Sequence, residues 1–260
     1  MEEVRSEELK AAERRIRIRQ MLETKDFIAL ETLCAELGAS ESSIRRDLDG
    51  LEQQGVLRRV YGGAVPLVPS RGDGYDFTSL KLQRGEEKSR IAKLAAGLIK
   101  EGETVVLDGG STVAEVAREL AGRHLHVVTN SLPIAEELLE SRTIELTLTG
   151  GYLDPRLRVM LGPFCEQMLG AVRADTLIMG IGSISEAGLS NNNTLVVGSE
   201  RKMIEIAKRV IVVTDHTKFD RGAMIPLAPI DVADIIVTDQ SLAPEYQEML
   251  KAHDVELLLA

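Results

Sequence analysis

Gly38-Ala39-Ser40-Glu41-Ser42-Ser43-Ile44-Arg45-Arg46-Asp47-Leu48 reads as the turn and second helix of a helix-turn-helix. Gly38 suits the end of a preceding helix, where a left-handed residue closes the last turn, and Ser40 is a preferred N-cap. Ile44, Leu48 and Leu51 recur at i, i+4 and i+7, an apolar stripe that seats the helix on its own domain. Ser42, Ser43, Arg45, Arg46 and Asp49 are left facing outward. Short hydroxyls and adjacent guanidinium groups near the start of an exposed helix match phosphate oxygens and guanine edges. Ser42, Ser43, Arg45 and Arg46 are therefore candidate DNA contacts.

The flanking residues complete a small domain. Residues 7–24 predict a first helix with Ile18, Met21 and Leu22 turned inward. LETLCAEL over 30–37 predicts a second, with Leu30, Leu33 and Leu37 buried, and the third stops at Gln53-Gln54-Gly55. Residues 56–61, Gly62-Gly63 and residues 64–66 read as strand, tight turn and strand. Three helices and a hairpin make an α+β winged helix-turn-helix over residues 1–65, in which Arg58 and Arg59 of the wing reach the DNA backbone or minor groove. Residues 66–83 (PLVPSRGDGYDFTSLKLQ) mix Pro, Gly, Ser and charge without a period, the texture of a linker.

A net charge of −10 over 260 residues is awkward for a nucleic-acid binder. Residues 1–64 hold 11 Lys and Arg against 13 Asp and Glu, so the DNA-reading part is not basic overall. Distribution decides the matter: Arg14, Arg15, Arg17 and Arg19 cluster, as do Arg45 with Arg46 and Arg58 with Arg59. A local basic face is what phosphate contact needs, and binding through it weakens with salt. No apolar run approaches the length of a membrane span, and the charged start MEEVRSEELKAAERR lacks an export signal, so a cytoplasmic protein without membrane contact is expected. Cys34 and Cys165 stand alone without metal-ligand spacing and read as small buried residues in a reducing compartment. No metal or cofactor is predicted.

From residue 84 to 260 the texture alternates between strand and helix. Strand-like runs are 104–107, 125–129, 144–149, 176–181, 210–214 and 235–238, with helical stretches at 112–121, 131–140, 161–170 and 195–208. That alternation predicts a doubly wound, Rossmann-like α/β domain, whose ligands bind at the carboxyl ends of the strands. The loops there are polar and glycine-rich. Asp108-Gly109-Gly110-Ser111-Thr112 joins a strand to a helix, and glycines let the backbone approach an anion at the helix N-terminus. An ordinary glycine turn with an N-cap would look the same. Thr129-Asn130-Ser131 ends a second strand, and Gly150-Gly151 a third, followed by Arg156 and Arg158, either of which suits a phosphate or the plain surface. Gly180-Ile181-Gly182 ends a fourth strand. In Asp215-His216-Thr217-Lys218-Phe219, Lys218 suits an anion, Asp215 a sugar hydroxyl, and His216 a structural hydrogen bond. The loops together imply a small, polar, phosphorylated ligand, and no catalytic triad, metal cluster or close carboxylate pair stands out.

Ser43-Ile44-Arg45-Arg46-Asp47-Leu48 followed by Leu57-Arg58-Arg59-Val60-Tyr61-Gly62-Gly63-Ala64 resembles the DNA-binding signature of the DeoR family of bacterial transcription regulators. Glu87-Lys88 with Ile91-Ala92, the Asp108–Thr112 loop, Val128-Thr129-Asn130-Ser131, Gly150-Gly151 and Thr214–Phe219 resemble that family's sensor domain, so the resemblance spans about residues 10–255. It implies a repressor of a carbohydrate-utilisation operon, with operator DNA and a phosphorylated sugar or related metabolite as partners. It also implies a sensor fold similar to ribose-5-phosphate isomerase and the coenzyme A transferases. Asp108 to Thr112 and Lys218 are its implied effector contacts, with Thr129 to Ser131 and Gly150-Gly151 beside them. The chain departs from the pattern in places: Gly109 and Ser111 replace a serine and a threonine, Tyr61 stands where a histidine is usual, and Val196 and Glu200 stand where a Glu and a Lys are usual. Paired half-sites on DNA imply a homo-oligomer, dimer or tetramer. The competing reading is a sugar-phosphate isomerase or deaminase with an appended helical domain.

Overall fold

The structure, a computed structural model, describes residues 2–24, 27–54, 56–60, 62–66, 77–220 and 222–260. The chain divides into two compact units, Met1–Tyr75 and Asp76–Ala260.

The first unit holds helices α1 (Glu2–Thr24), α2 (Leu30–Leu37) and α3 (Glu41–Gln53) with strands β1 (Ile28–Ala29), β2 (Leu57–Val60) and β3 (Gly63–Pro66). Ile18 and Leu22 of α1, Leu33 of α2, and Ile44, Leu48 and Leu51 of α3 are buried in one core with Ile28, Leu57 and Ala64. This is the winged helix-turn-helix. Gly38 closes α2 in the left-handed conformation at φ 59°, and the Ser40 hydroxyl caps α3 by accepting from the Ser43 N–H at 3.3 Å. The strands run in the order β1-β3-β2, antiparallel throughout. Val60 pairs with Gly63, so Gly63 belongs to the second strand of the wing and not to its turn, and Tyr61 lies outside the described residues. Gly63 is drawn into the sheet by β1, a two-residue strand too short to carry a sequence period. A Cβ at Gly63 would stand 2.1 Å from the Ile28 carbonyl oxygen, so only glycine permits that approach.

Most of the stretch read as linker, 67–76, lies outside the described residues, but its end forms helix α4 (Phe77–Leu82). Phe77 is buried in the core of the second unit, so one large apolar side chain there outweighs the polar texture around it. Next come α5 (Gly85–Gly97), β4 (Thr104–Leu107), α6 (Ser111–Leu120), β5 (Leu125–Thr129), α7 (Leu132–Leu138) and β6 (Ile144–Leu148). A hairpin, β7 (Tyr152–Asp154) and β8 (Val159–Leu161), precedes α8 (Pro163–Gly170) and β9 (Ala174–Met179). Strands β10 (Ser183–Ser185) and β11 (Gly188–Asn191), helix α9 (Thr194–Ile206), β12 (Ala207–Val213), β13 (Ile225–Ala228), β14 (Ile235–Thr238), α10 (Pro244–Ala252) and β15 (Glu256–Leu259) complete it.

Seven strands form one parallel sheet in the order β15-β14-β12-β9-β4-β5-β6. Val105 and Leu107 of β4 join one core with α5, α6 and α7, while Val106 between them joins the other with α8, α9 and α10. Neighbouring strand residues thus feed opposite faces, and covering both faces is what makes the central strands uniformly apolar. The sequence pattern found six of the seven strands but not the edge strand β15, nor the small sheets β7-β8 and β10-β11-β13, whose segments are short or turn-rich. Helix α9 ends at Ile206 and passes directly into β12 at Ala207, three residues ahead of the strand read at Val210.

Candidate functional site

The outer face of α3 presents the residues the sequence put there. Ser42, Arg45 and Arg46 are exposed and Ser43 is half-buried. Arg45 is held by Glu41 one turn earlier, Nη2 to Oε1 at 2.5 Å, whereas among the described residues Arg46 has no hydrogen-bond or ion-pair partner. The basic cluster on α1 behaves differently from its sequence reading. Arg14 and Arg15 reach Asp47 at 2.8 and 3.1 Å, and Asp47 is buried beneath α3, so both arginines fasten α1 to the recognition helix rather than face outward. Arg19 bonds the Gln54 side chain, which leaves Arg17 as the exposed cation of that set. Arg59 pairs with Asp49 of α3 and its N–H donates to Glu52 at 2.8 Å, which ties the wing to the helix. The side chain of Arg58 lies outside the described residues.

In the second unit β4 and β9 are neighbours whose onward connections diverge: β5 and β6 lie beyond β4, while β12, β14 and β15 lie beyond β9. A crevice opens at such a switch point, at the carboxyl ends of the strands. The Asp108–Thr112 loop leaves β4 there, and Gly180-Ile181-Gly182 leaves β9. Asp108, Ser111, Thr112, Thr129, Asn130 and Ser131 are all buried, an unusual density of polar side chains in a protein interior. A Cβ at Gly109 would stand 2.3 Å from Val159 Cγ1 and 3.9 Å from Asn130 Oδ1, so the loop packs closely against β8 and the end of β5. Helix α6 starts from Gly110 without a side-chain cap, leaving its first N–H groups as anion donors.

Several of these side chains are already spent, and several are not. Thr129 donates to the Leu107 carbonyl at 2.7 Å and accepts from the Ser131 N–H at 3.0 Å, so it braces the β4–β5 junction. Asn130 Nδ2 donates to the Met160 carbonyl at 3.2 Å, but among the described residues its Oδ1 has no partner, and neither does the buried Ser131 Oγ. Gly150 and Gly151 end β6, with the Gly150 N–H directed at Met168 Sδ at 3.0 Å. Arg156 is exposed in the β7–β8 turn, and among the described residues its side chain bonds none of the other candidates. Arg158 is committed to Glu136 at 3.0 Å.

The loop after β12 supplies a basic corner. Asp215 accepts from the Thr217 N–H at 3.0 Å, capping the turn that carries Lys218, and lies 3.7 Å from Arg84. His216 Nδ1 meets Asp239 at 2.8 Å, the structural bond the sequence suggested. Lys88 is buried, donates to the Gln83 carbonyl at 2.7 Å, and has its pKa lowered to about 8 by burial, with the charge of Lys218 adding to the effect. Only the family resemblance pointed at Lys88.

Glu200 was visible in sequence only as a departure from the family pattern, and nothing in its spacing linked it to Asp108. It projects from α9 into the interior, where Asn191 Nδ2 donates to Oε1 at 2.9 Å and, among the described residues, Oε2 has no partner. Burial pushes Asp108 up to about 7 against the stabilising Gly109 N–H. Glu200 is pushed well above its usual range by burial and by repulsion from Asp108. Arg201, beside it, is taken by the Pro226 and Leu227 carbonyls of β13.

A winged helix-turn-helix followed by a parallel α/β unit with buried polar loops at its switch point fits a ligand-responsive DNA-binding regulator. Residues 14–68 match the DeoR-like helix-turn-helix domain and residues 83–240 the DeoR C terminal sensor domain; the chain belongs to the DeoR family. It is 37% identical to the transcriptional repressor AccR of Agrobacterium fabrum over 87% of this chain and 89% of the relative. Identity to the HTH-type transcriptional repressor GlcR of Bacillus subtilis is 33%, over 95% of each chain. With the glycerol-3-phosphate regulon repressor of Escherichia coli it is 31%, over 96% of this chain and all of the other. The ribose 5-phosphate isomerase of Methanocaldococcus jannaschii aligns with 51% of this chain and 53% of its own, at 20% identity and a TM-score of 0.38. Among the described residues no helix is long and apolar enough to cross a membrane.

Proposed function

We propose that this protein is a cytoplasmic, non-enzymatic repressor of a carbohydrate-utilisation operon whose operator binding is set by a phosphorylated sugar. Residues 1–65 read the operator: Ser42, Ser43, Arg45 and Arg46 from α3, with Arg58 and Arg59 of the wing on the backbone. Residues 84–260 form the sensor, and the strand-end loops at its switch point take the effector. The uncapped start of α6 at Gly109, Gly110, Ser111 and Thr112 receives the phosphate together with Lys218, and Asp108, Asn130 and Ser131 receive the polyol. Thr129 and Gly150-Gly151 shape the wall, and Arg156 lies at its rim. The observation that carries this reading is the set of buried, unpartnered polar atoms beside an uncapped helix N-terminus at the switch point of a parallel sheet. A dimer or tetramer would present paired recognition helices to two half-sites.

An operator selected from a random duplex pool, titrated by fluorescence anisotropy, tests the DNA-reading half. Arg46→Ala and Arg45→Ala should each cost roughly 1–3 kcal/mol if they reach base edges. Arg46 should cost more, because Arg45 must first exchange Glu41 for DNA. A double variant that binds the selected duplex as tightly as the parent removes α3 from the groove.

A further inference from the structure

We propose that Asp108 and Glu200, together with the amide oxygen of Asn130, bind the ammonium group of an aminated sugar phosphate. This rests on reading the β4–β9 crevice as the effector site and adds the chemical class of the effector. Asp108 is 4% exposed and Glu200 1%. Among the described residues no lysine, arginine or histidine ion-pairs with either carboxyl. A buried carboxylate is tolerated when a cation or hydrogen-bond donors meet it, and among the described residues Glu200 has the Asn191 amide and Asp108 the Gly109 N–H.

Two of the unspent atoms belong to an amide carbonyl and a carboxyl. Among the described residues Glu200 Oε2 and Asn130 Oδ1 are buried without partners, and Asn130 Oδ1 lies 3.9 Å from where a Cβ on Gly109 would stand. A ligand that brings donors satisfies both oxygens once Glu200 is ionised. A hydroxyl brings one donor and no charge, whereas an ammonium brings three donors and the missing positive charge. Ser131 Oγ and Ser183 Oγ, also buried and unpartnered, are left for neutral hydroxyls of the same ligand. A metal ion fits less well, because among the described residues no group of three or more His, Cys, Asp or Glu is placed to hold one. Burial raises both carboxyls, and at Glu200 the neighbouring Asp108 adds to the effect, so an ammonium placed between them would favour their charged forms. The negative end of the ligand has a separate place at the start of α6, which makes a zwitterion the natural occupant.

Calorimetric titration of the full chain with sugar phosphates, each aminated member paired with its hydroxyl counterpart, reads the preference directly. The tightest ligand should be aminated and bind about tenfold or more tightly than its counterpart, what one added charge-assisted hydrogen bond supplies. Glu200→Gln keeps the shape and should erase the preference, bringing the aminated compound to the affinity of its hydroxyl counterpart. Glu200→Lys should reverse the order. A hydroxyl compound that binds as well as its amine, or a preference that survives Glu200→Gln, overturns the proposal while leaving the effector site standing. Stabilisation by magnesium or calcium chloride that vanishes in Glu200→Gln also overturns it, in favour of a metal site. If no sugar phosphate of either kind binds, the effector-site reading itself fails and this proposal with it.

Discussion

Replacing Asp108 with Asn should stabilise the unliganded protein, and by an amount that grows with pH. The carboxyl titrates near 3.8 in an unfolded chain and at about 7 when buried. Below pH 4 it is protonated in both states and contributes no penalty. Between pH 4 and 7 the unfolded chain releases a proton that the folded chain keeps, so stability falls as pH rises. The full difference is worth roughly 4 kcal/mol, at about 1.4 kcal/mol per pH unit. The groups that face this carboxyl are Glu200 of α9 and Cys165 of α8, whose thiol is itself raised by burial, so the two acids titrate as a pair. Asn keeps the size and removes the charge. Urea unfolding followed by circular dichroism at pH 5 and pH 8 should show the variant gaining about 3 kcal/mol on the parent between the two conditions. Parallel pH profiles would refute the reasoning, as would a variant less stable than the parent at pH 8. The same variant should lose effector binding, the trade expected where a site stores strain for its ligand.

Asp47→Asn should destabilise the first unit by about 2–3 kcal/mol, because Arg14 and Arg15 lose the buried carboxylate that joins α1 to α3. A urea midpoint within error of the parent would make that pair of bridges ornamental. Gly109→Ala should cost about 1–3 kcal/mol and abolish ligand binding, since its methyl enters the space of Val159 Cγ1. Adding Val159→Ala should recover part of both, and a strictly additive double mutant would show that the two do not meet. Ser40→Ala should cost about 1 kcal/mol through the lost cap of α3, measurable by the same unfolding curves.

The recognition helix was legible because its signals are local. A glycine stop, a serine cap and an i, i+4, i+7 stripe each act within a few residues, and α2 and α3 have the expected bounds or nearly so. The fate of the arginines was not local. Whether Arg14 meets DNA or Asp47 depends on how α1 crosses α3, and no spacing encodes that. In the sensor, strand runs and strand-end loops follow from hydrophobic pattern and glycine content. Strand order does not, and strand order is what brings the ends of β4 and β9 together at one crevice. Glu200 shows the same limit. A lone Glu inside a helical stretch normally faces solvent, and only the packing of α9 turns it inward beside Asp108.

The most direct test of the whole account is operator affinity measured with and without a saturating sugar phosphate that calorimetry has shown to bind. The parent should change its affinity by about fivefold or more in one direction, the range of ordinary coupling between two sites. Asp108→Asn should keep its operator affinity and lose the response. A bound ligand that leaves operator affinity unchanged would contradict the claim that the crevice governs the recognition helix.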